Sequence, residues 1–240
     1  MRRSRVFAIA ALALLAGEVA AQDRRNLDPI GGDDRVITSD PRFRAVGRLN
    51  VAGRGFCTAT LIAPALVLTA AHCVFDSRTG DPVAPEDLHF VAGFRKGRYV
   101  AHRRGRAVSV HDGFVPGERT LRAMGHDIAL VVLGDPVDGR MVRPIPLDKT
   151  TESLRFTVPL TVVSYARDRA YLPSVERGCV VRAVEGRLLH TDCDTNFGGS
   201  GAPALTERDG TLTVLGLVSG VARVGAGVRR TVVVRAWQPE

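Results

Sequence analysis

Ser200 stands in the run Asn196-Phe197-Gly198-Gly199-Ser200-Gly201-Ala202-Pro203; upstream lies Thr69-Ala70-Ala71-His72-Cys73, and between them His126-Asp127-Ile128-Ala129-Leu130. A serine hydroxyl holds its proton too tightly to attack a carbonyl at neutral pH, so it needs an adjacent base, and the base needs an orienting acid. In that scheme His72 takes the Ser200 proton and returns it to the leaving amine. Asp127 fixes the imidazole tautomer and stabilises the imidazolium. Each fragment alone has a plainer reading. Gly-Gly-Ser-Gly is turn composition, a lone histidine is usually structural, and an aspartate before an apolar run is commonly a cap. The three together, in the order His, Asp, Ser, specify nucleophilic hydrolysis. The remaining histidines (His89, His102, His111, His126, His190) have no partner motif. His126 adjoins Asp127, but neighbouring strand residues face opposite ways, so it is not the expected base.

The glycines before Ser200 have a use of their own. Negative charge developing on a substrate carbonyl needs donors aimed at it, and backbone N–H groups in a tight turn supply them. With no side chains at Gly198 and Gly199, the N–H groups of Gly198 and Ser200 are free to converge on one point, each such donor contributing roughly 3 kcal/mol to the transition state.

These groups must be held by strands. Helical periodicity is scarce, and short Val/Leu/Ile/Thr runs broken by Gly, Pro and Asp recur at 58–62, 66–70, 128–133, 160–165, 212–219 and 231–235. Many short strands with frequent turns predict an all-β barrel or sandwich. Residues 135–146, with three prolines and few strand signals, read as a link between halves. The four cysteines allow three connectivities. Cys57 and Cys73 lie on adjacent candidate strands about an Ala63-Pro64-Ala65 turn. A three-residue loop Glu185-Gly186-Arg187 places Cys179 opposite Cys193. The symmetry of the two hairpins favours Cys57–Cys73 and Cys179–Cys193, each closing a loop whose constraint amounts to about 3 kcal/mol. A zinc site from Cys179, His190 and Cys193 lacks a clear fourth ligand.

Arg2, Arg3 and Arg5, an apolar stretch at 6–16 and the small residues Val19-Ala20-Ala21 predict a signal peptide over 1–21. The apolar stretch is too short to span a bilayer. Residues 22–35 are polar and without alternation, a propeptide or flexible arm. The expectation is a soluble monomer, secreted or periplasmic, with no membrane association after signal cleavage. The formal charge is +8 over 240 residues, almost all from arginine, the lysines being only Lys96 and Lys149. The densest basic stretch, residues 95–106, is sparse in aromatics and comes with no recognition helix, so it reads as a solvated face and no nucleic-acid partner is expected. No metal or organic cofactor is implied.

In these motifs the chain resembles the trypsin-like, or chymotrypsin-fold, serine peptidases: Thr69-Ala70-Ala71-His72-Cys73, Asp127-Ile128-Ala129-Leu130 and Gly198-Gly199-Ser200-Gly201-Ala202-Pro203 carry the likeness over about residues 36–237. The resemblance implies two antiparallel six-stranded β-barrels with the active site in the cleft between them. Residues 36–143 would form the barrel bearing His72 and Asp127, and 144–240 the barrel bearing Ser200. It implies protein or peptide substrates and a hydrogen bond from Ser219 to Asp127. Cys193-Asp194-Thr195 looks more like the bacterial glutamyl-endopeptidase branch. Gly199 occupies the place where digestive members hold the aspartate that pairs with a newly cut amino terminus, which puts that activation switch in doubt. The segment Gly216-Leu217-Val218-Ser219-Gly220 resembles the substrate-binding edge, making Ser219 and Gly220 substrate-binding candidates. Asp194, six residues before Ser200, stands at the offset of the acid that binds Arg or Lys. Its alternative is a structural loop aspartate. A glutamate preference calls for a basic lining near Ser219, and none can be placed from the sequence. The competing class of function is a binding protein on a protease scaffold, holding anionic surfaces with its arginine-rich face.

Overall fold

The structure, a computed structural model, describes residues 34–149, 158–224 and 228–236. The expected signal peptide and nearly all of the 22–35 arm lie outside the described residues. Among the described residues no helix is long and apolar enough to cross a membrane.

A two-residue strand, β1 (Val36–Ile37), precedes the first barrel. That barrel comprises β2 (Val46–Val51), β3 (Gly55–Ala63), β4 (Leu66–Thr69), β5 (Leu88–Ala92), β6 (Ala101–Val110) and β7 (Ala129–Leu133). The strands close in the order β2-β3-β4-β7-β6-β5, all antiparallel. Closure removes every exposed sheet edge and turns Leu49, Leu61, Leu68, Leu88, Phe90 and Leu133 into a buried core.

The second barrel comprises β8 (Pro159–Ser164), β9 (Ser174–Glu185), β10 (Leu188–Thr191), β11 (Pro203–Arg208), β12 (Thr211–Val224) and β13 (Val228–Arg235). Its order is β9-β10-β13-β12-β11-β8, closed by the β8–β9 ladder, with β1 added to the start of β9 through Val36 opposite Val175. Leu160, Leu189, Leu205 and Leu217 fill it. The architecture is therefore the expected pair of six-stranded barrels.

Both expected disulfides are present, Cys57–Cys73 and Cys179–Cys193, which removes the zinc reading of Cys179 and Cys193. Two local expectations need correction. Cys73 lies not on a strand but on a 3-10 turn, Ala71–Val74, that follows β4. The loop between β9 and β10 has two residues, since Leu188 pairs with Glu185. A bulge between His190 and Thr191 then shifts the register by one, Thr191 facing Val181, and continuing that register by two residues brings Cys193 opposite Cys179. The bulge does what the extra loop residue was expected to do.

Candidate active site

Asp127 immediately precedes β7 and is buried. One of its oxygens, Oδ1, accepts the backbone N–H of His72 at 2.9 Å, and Oδ2 accepts from His72 Nδ1 at 2.7 Å. The Ser219 hydroxyl also donates to Oδ2, at 2.6 Å. Burial alone would push the Asp127 carboxyl up, but the bonds from the His72 ring, from Ser219 and from the His72 backbone outweigh it and hold the group below the usual carboxylate range. An ionised Asp127 fixes the tautomer with its proton on Nδ1, leaving Nε2 as the acceptor. His72 is itself held by the 3-10 turn and by the adjacent disulfide.

Ser200 lies in the turn between the end of β10 and β11. Gly198 and Gly201 have φ of +89° and +79°, and a Cβ at Gly201 would stand 2.2 Å from the Thr58 carbonyl oxygen. The turn thus needs glycine for both conformation and close approach. Thr58, fully buried on β3, ties it to the first barrel. The Thr58 N–H donates to the Ser200 carbonyl at 2.9 Å. The Thr58 hydroxyl donates to the Gly198 carbonyl at 3.0 Å and accepts from the Tyr165 N–H at 2.9 Å. A further bond aims the donors: the Arg167 N–H holds the Phe197 carbonyl at 2.6 Å. Across a trans peptide the N–H points opposite the C=O, so the Gly198 N–H is turned away from Arg167. Neither it nor the Ser200 N–H has a protein acceptor among the described residues, which leaves both for an oxyanion.

His72, Ser200, Gly198, Ser219 and Gly220 line one cavity of about 600 Å³ between the barrels. Ser200 and His72 make no hydrogen bond to each other there, and such bonds are frequently long before a substrate carbonyl is in place. Asp194 is not in the lining. It is buried behind it, accepting from Arg35 Nε at 3.1 Å, while its own N–H donates to Glu176 Oε2 at 2.6 Å. Among the described residues the lining contains Arg54, Arg119, Arg167 and Arg229 and no aspartate or glutamate. Sequence reasoning missed Arg167, Arg229 and Thr58. Arg229 reaches the site on β13, opposite Arg223 of β12, and no spacing from Ser219 signals that cross-strand placement.

Residues 55–217 match the model of the trypsin-like peptidase domain. The glutamyl endopeptidase of Bacillus licheniformis is 25% identical over 181 residues, covering 74% of this chain and 54% of that protein. The trypsin of Saccharopolyspora erythraea is 30% identical over 124 residues, 52% of this chain and 48% of the relative. Coagulation factor XII of Sus scrofa is 34% identical over 98 residues, 39% of this chain and 14% of that protein. The matched regions thus span less than two thirds of each relative. The solved structure of a Glu endopeptidase in complex with MPD superposes with a TM-score of 0.70 at 19% identity, over 86% of this chain and 93% of that one, a likeness of fold.

Proposed function

The chain belongs to the family of trypsin-like peptidase domains, and on that footing we propose that it is an exported serine endopeptidase working through Ser200, His72 and Asp127. The observation that carries this reading is the doubly bonded Asp127–His72 pair facing the same cavity as Ser200 and two unengaged backbone donors. His72 Nε2 removes the Ser200 proton as Oγ attacks the scissile carbonyl. The resulting oxyanion is held by the Gly198 and Ser200 N–H groups. His72⁺ then protonates the leaving amine, and water hydrolyses the acyl-enzyme by the same route in reverse. Export is supported by the charge, apolar core and small-residue pattern of residues 1–21, and by two disulfides of the kind that persist in oxidising compartments.

Specificity follows from the charges. A pocket for lysine or arginine needs an acid in its wall, whereas Asp194 is engaged by Arg35 and, His72 aside, the charged residues of the wall among the described residues are arginines. The reading is therefore an acidic P1 residue, as the name of the Bacillus licheniformis relative states for that protein, with Arg229 and Thr195 on the polar wall. The first test is labelling by a fluorophosphonate beside Ser200→Ala and His72→Ala controls, followed by matched peptides with Glu or Lys at P1. Labelling of wild type alone and faster cleavage after Glu are expected. An unlabelled, folded wild type overturns the peptidase reading, and faster cleavage after Lys overturns the specificity.

A further inference from the structure

A second cavity, of about 610 Å³, lies on the outer face of the first barrel. Leu49, Leu88 and Phe90 are buried in the core, so the residues alternating with them on β2 and β5 face outward. Register sets Arg48, Val91 and His102 in one row across β2, β5 and β6, with Asn50 beside His89 in the next. Arg48, Asn50, His89 and His102 line the cavity, and among the described residues its wall holds no aspartate or glutamate.

Two polar groups of this wall lack partners. The half-buried Arg48 guanidinium stacks on the Phe56 ring at 3.9 Å and lies 5.0 Å from that of Phe94. Its one hydrogen bond among the described residues runs from Nη1 to the Ala170 carbonyl at 2.9 Å, and the buried Nε has no acceptor. The buried Asn50 Oδ1 has no donor. A cation packed on aromatic rings with no carboxylate beside it calls for an anion, and an orphaned amide oxygen calls for an N–H. A bare anion answers only the first. An acidic stretch of polypeptide answers both.

The cavity also adjoins the active site. Val51, Arg54 and Gly55, at the β2–β3 turn, line both cavities. Arg54 is already paired with Asp76 at 2.8 Å. The Phe56 ring carries Arg48 and also packs on Gly198, where an added Cβ would stand 2.7 Å from Phe56 Cε2. Resting on the peptidase reading above, we propose that this second cavity is an exosite for an acidic segment of protein substrates, on the leaving-group side of the scissile bond. His72, which hands its proton to the leaving amine, shares its wall with Phe56, Cys57 and Cys73, so the departing chain begins there. Tracing the hairpin back from Cys57 to Gly53 covers about 13 Å, which an extended substrate spans in about four residues. Acids about four to six residues after the scissile bond therefore reach Arg48.

The test counts active sites with a fluorophosphonate and then compares matched peptides sharing one P1 residue. One peptide carries Asp at the fourth to sixth positions after the scissile bond, one carries Asn there, and one has the three Asp moved the same distance before it; mass spectrometry verifies the bond cut. The quantity read in each protein is the ratio of kcat/KM for an Asp peptide to that for the Asn peptide. The variants are Arg48→Gln and Asn50→Asp, the second keeping side-chain size while placing an acid in the same wall. The control is Arg42→Gln, which alters an exposed arginine paired with Asp40 and Glu207. Wild type and Arg42→Gln are expected to show a ratio of roughly tenfold or more for acids after the bond, carried mainly by KM, and no such gain for acids before it. Arg48→Gln and Asn50→Asp bring the ratio below about threefold. Should Arg48→Gln not fold, Asn50→Asp decides alone. A wild-type ratio below about threefold, an equal gain from acids before the bond, or a folded variant of either kind that keeps the wild-type ratio overturns the exosite. An unlabelled, folded wild type instead removes the peptidase reading on which it rests.

Discussion

The Asp127 carboxylate accepts three hydrogen bonds, two from His72 and one from Ser219, so its contribution is geometric as much as electrostatic. Replacing it by Asn keeps the shape but presents an amide, and the imidazole takes the wrong tautomer. We expect Asp127→Asn to lower kcat by about 10⁴-fold with little change in Tm, the usual behaviour of such triads, as measured by ester turnover and thermal melts. Ser219→Ala removes one bond to a charged acceptor, a loss of about 1.5–3 kcal/mol in a buried site. The corresponding drop in kcat is roughly 10- to 100-fold at nearly constant KM, and an unchanged kcat refutes the role of Ser219. At this scale the sequence was informative about placement, because His72, Asp127 and Ser200 stand out by type and by the glycines and cysteine beside them, and the structure pairs His72 with Asp127 and sets His72 and Ser200 on one cavity. Arg35, Arg229 and Thr58 do not. An arginine near the start of the chain reads as solvated charge until a fold buries it against Asp194, and a strand threonine reads as β-propensity until its hydroxyl is seen to join Gly198 and Tyr165.

Among the elements, the β3–β4 hairpin is fastened by Cys57–Cys73, and His72 rides on the fastened turn. Opening this bridge by Cys57→Ala with Cys73→Ala releases a 16-residue separation, a loss of about 3 kcal/mol in the chain-entropy model and a fall in Tm of roughly 6–12 °C for a chain of this size. Activity at 25 °C should fall further than the folded fraction does, because the turn that carries His72, the proposed base, loses its tether. Calorimetry beside active-site titration separates the two effects. All six sequence-predicted runs fall on strands, those at 66–70, 128–133 and 160–165 overrunning the strand by one residue, because Val, Leu, Ile and Thr are dense there. Other strands escaped notice for a physical reason. In β6 the buried positions are Ala101 and Gly105, where a Cβ on Gly105 would meet the Pro85 carbonyl oxygen at 2.5 Å. The first half of the strand thus buries small residues among exposed or half-buried arginines, and only Val108 and Val110 near its end pack against the core, too short a run to signal a strand. The β9–β10 bulge was invisible for another reason, since register depends on backbone pairing and not on composition.

For the molecule as a whole, the proposed catalytic groups come from different barrels and Thr58 couples them. Thr58→Val conserves shape but strips partners from the Tyr165 N–H and the Gly198 carbonyl, a loss of about 2–4 kcal/mol for two buried groups. It should also lower kcat at least tenfold; a stable, fully active Thr58→Val protein contradicts the coupling. Behind the same turn lies a second whole-molecule property, set by Glu176. Burial, with the negative charges of Asp194, Asp34 and Asp192 adding to it and the Asp194 N–H opposing, pushes its carboxyl from 4.5 up to about 7. The folded chain then holds a proton between those pH values that the unfolded chain has released. Stability accordingly falls as pH rises through this window, by up to about 3 kcal/mol from this one group. Glu176→Gln leaves an acceptor for the Asp194 N–H and cannot ionise. Its Tm should vary less between pH 4.5 and 7 than that of wild type, and should exceed wild type at pH 8. If the two proteins melt in parallel across this range, Glu176 is ionised in the fold and its charge is compensated by its surroundings. If they converge at pH 4.5 and diverge above it, the proton is part of the structure that holds the turn bearing Ser200.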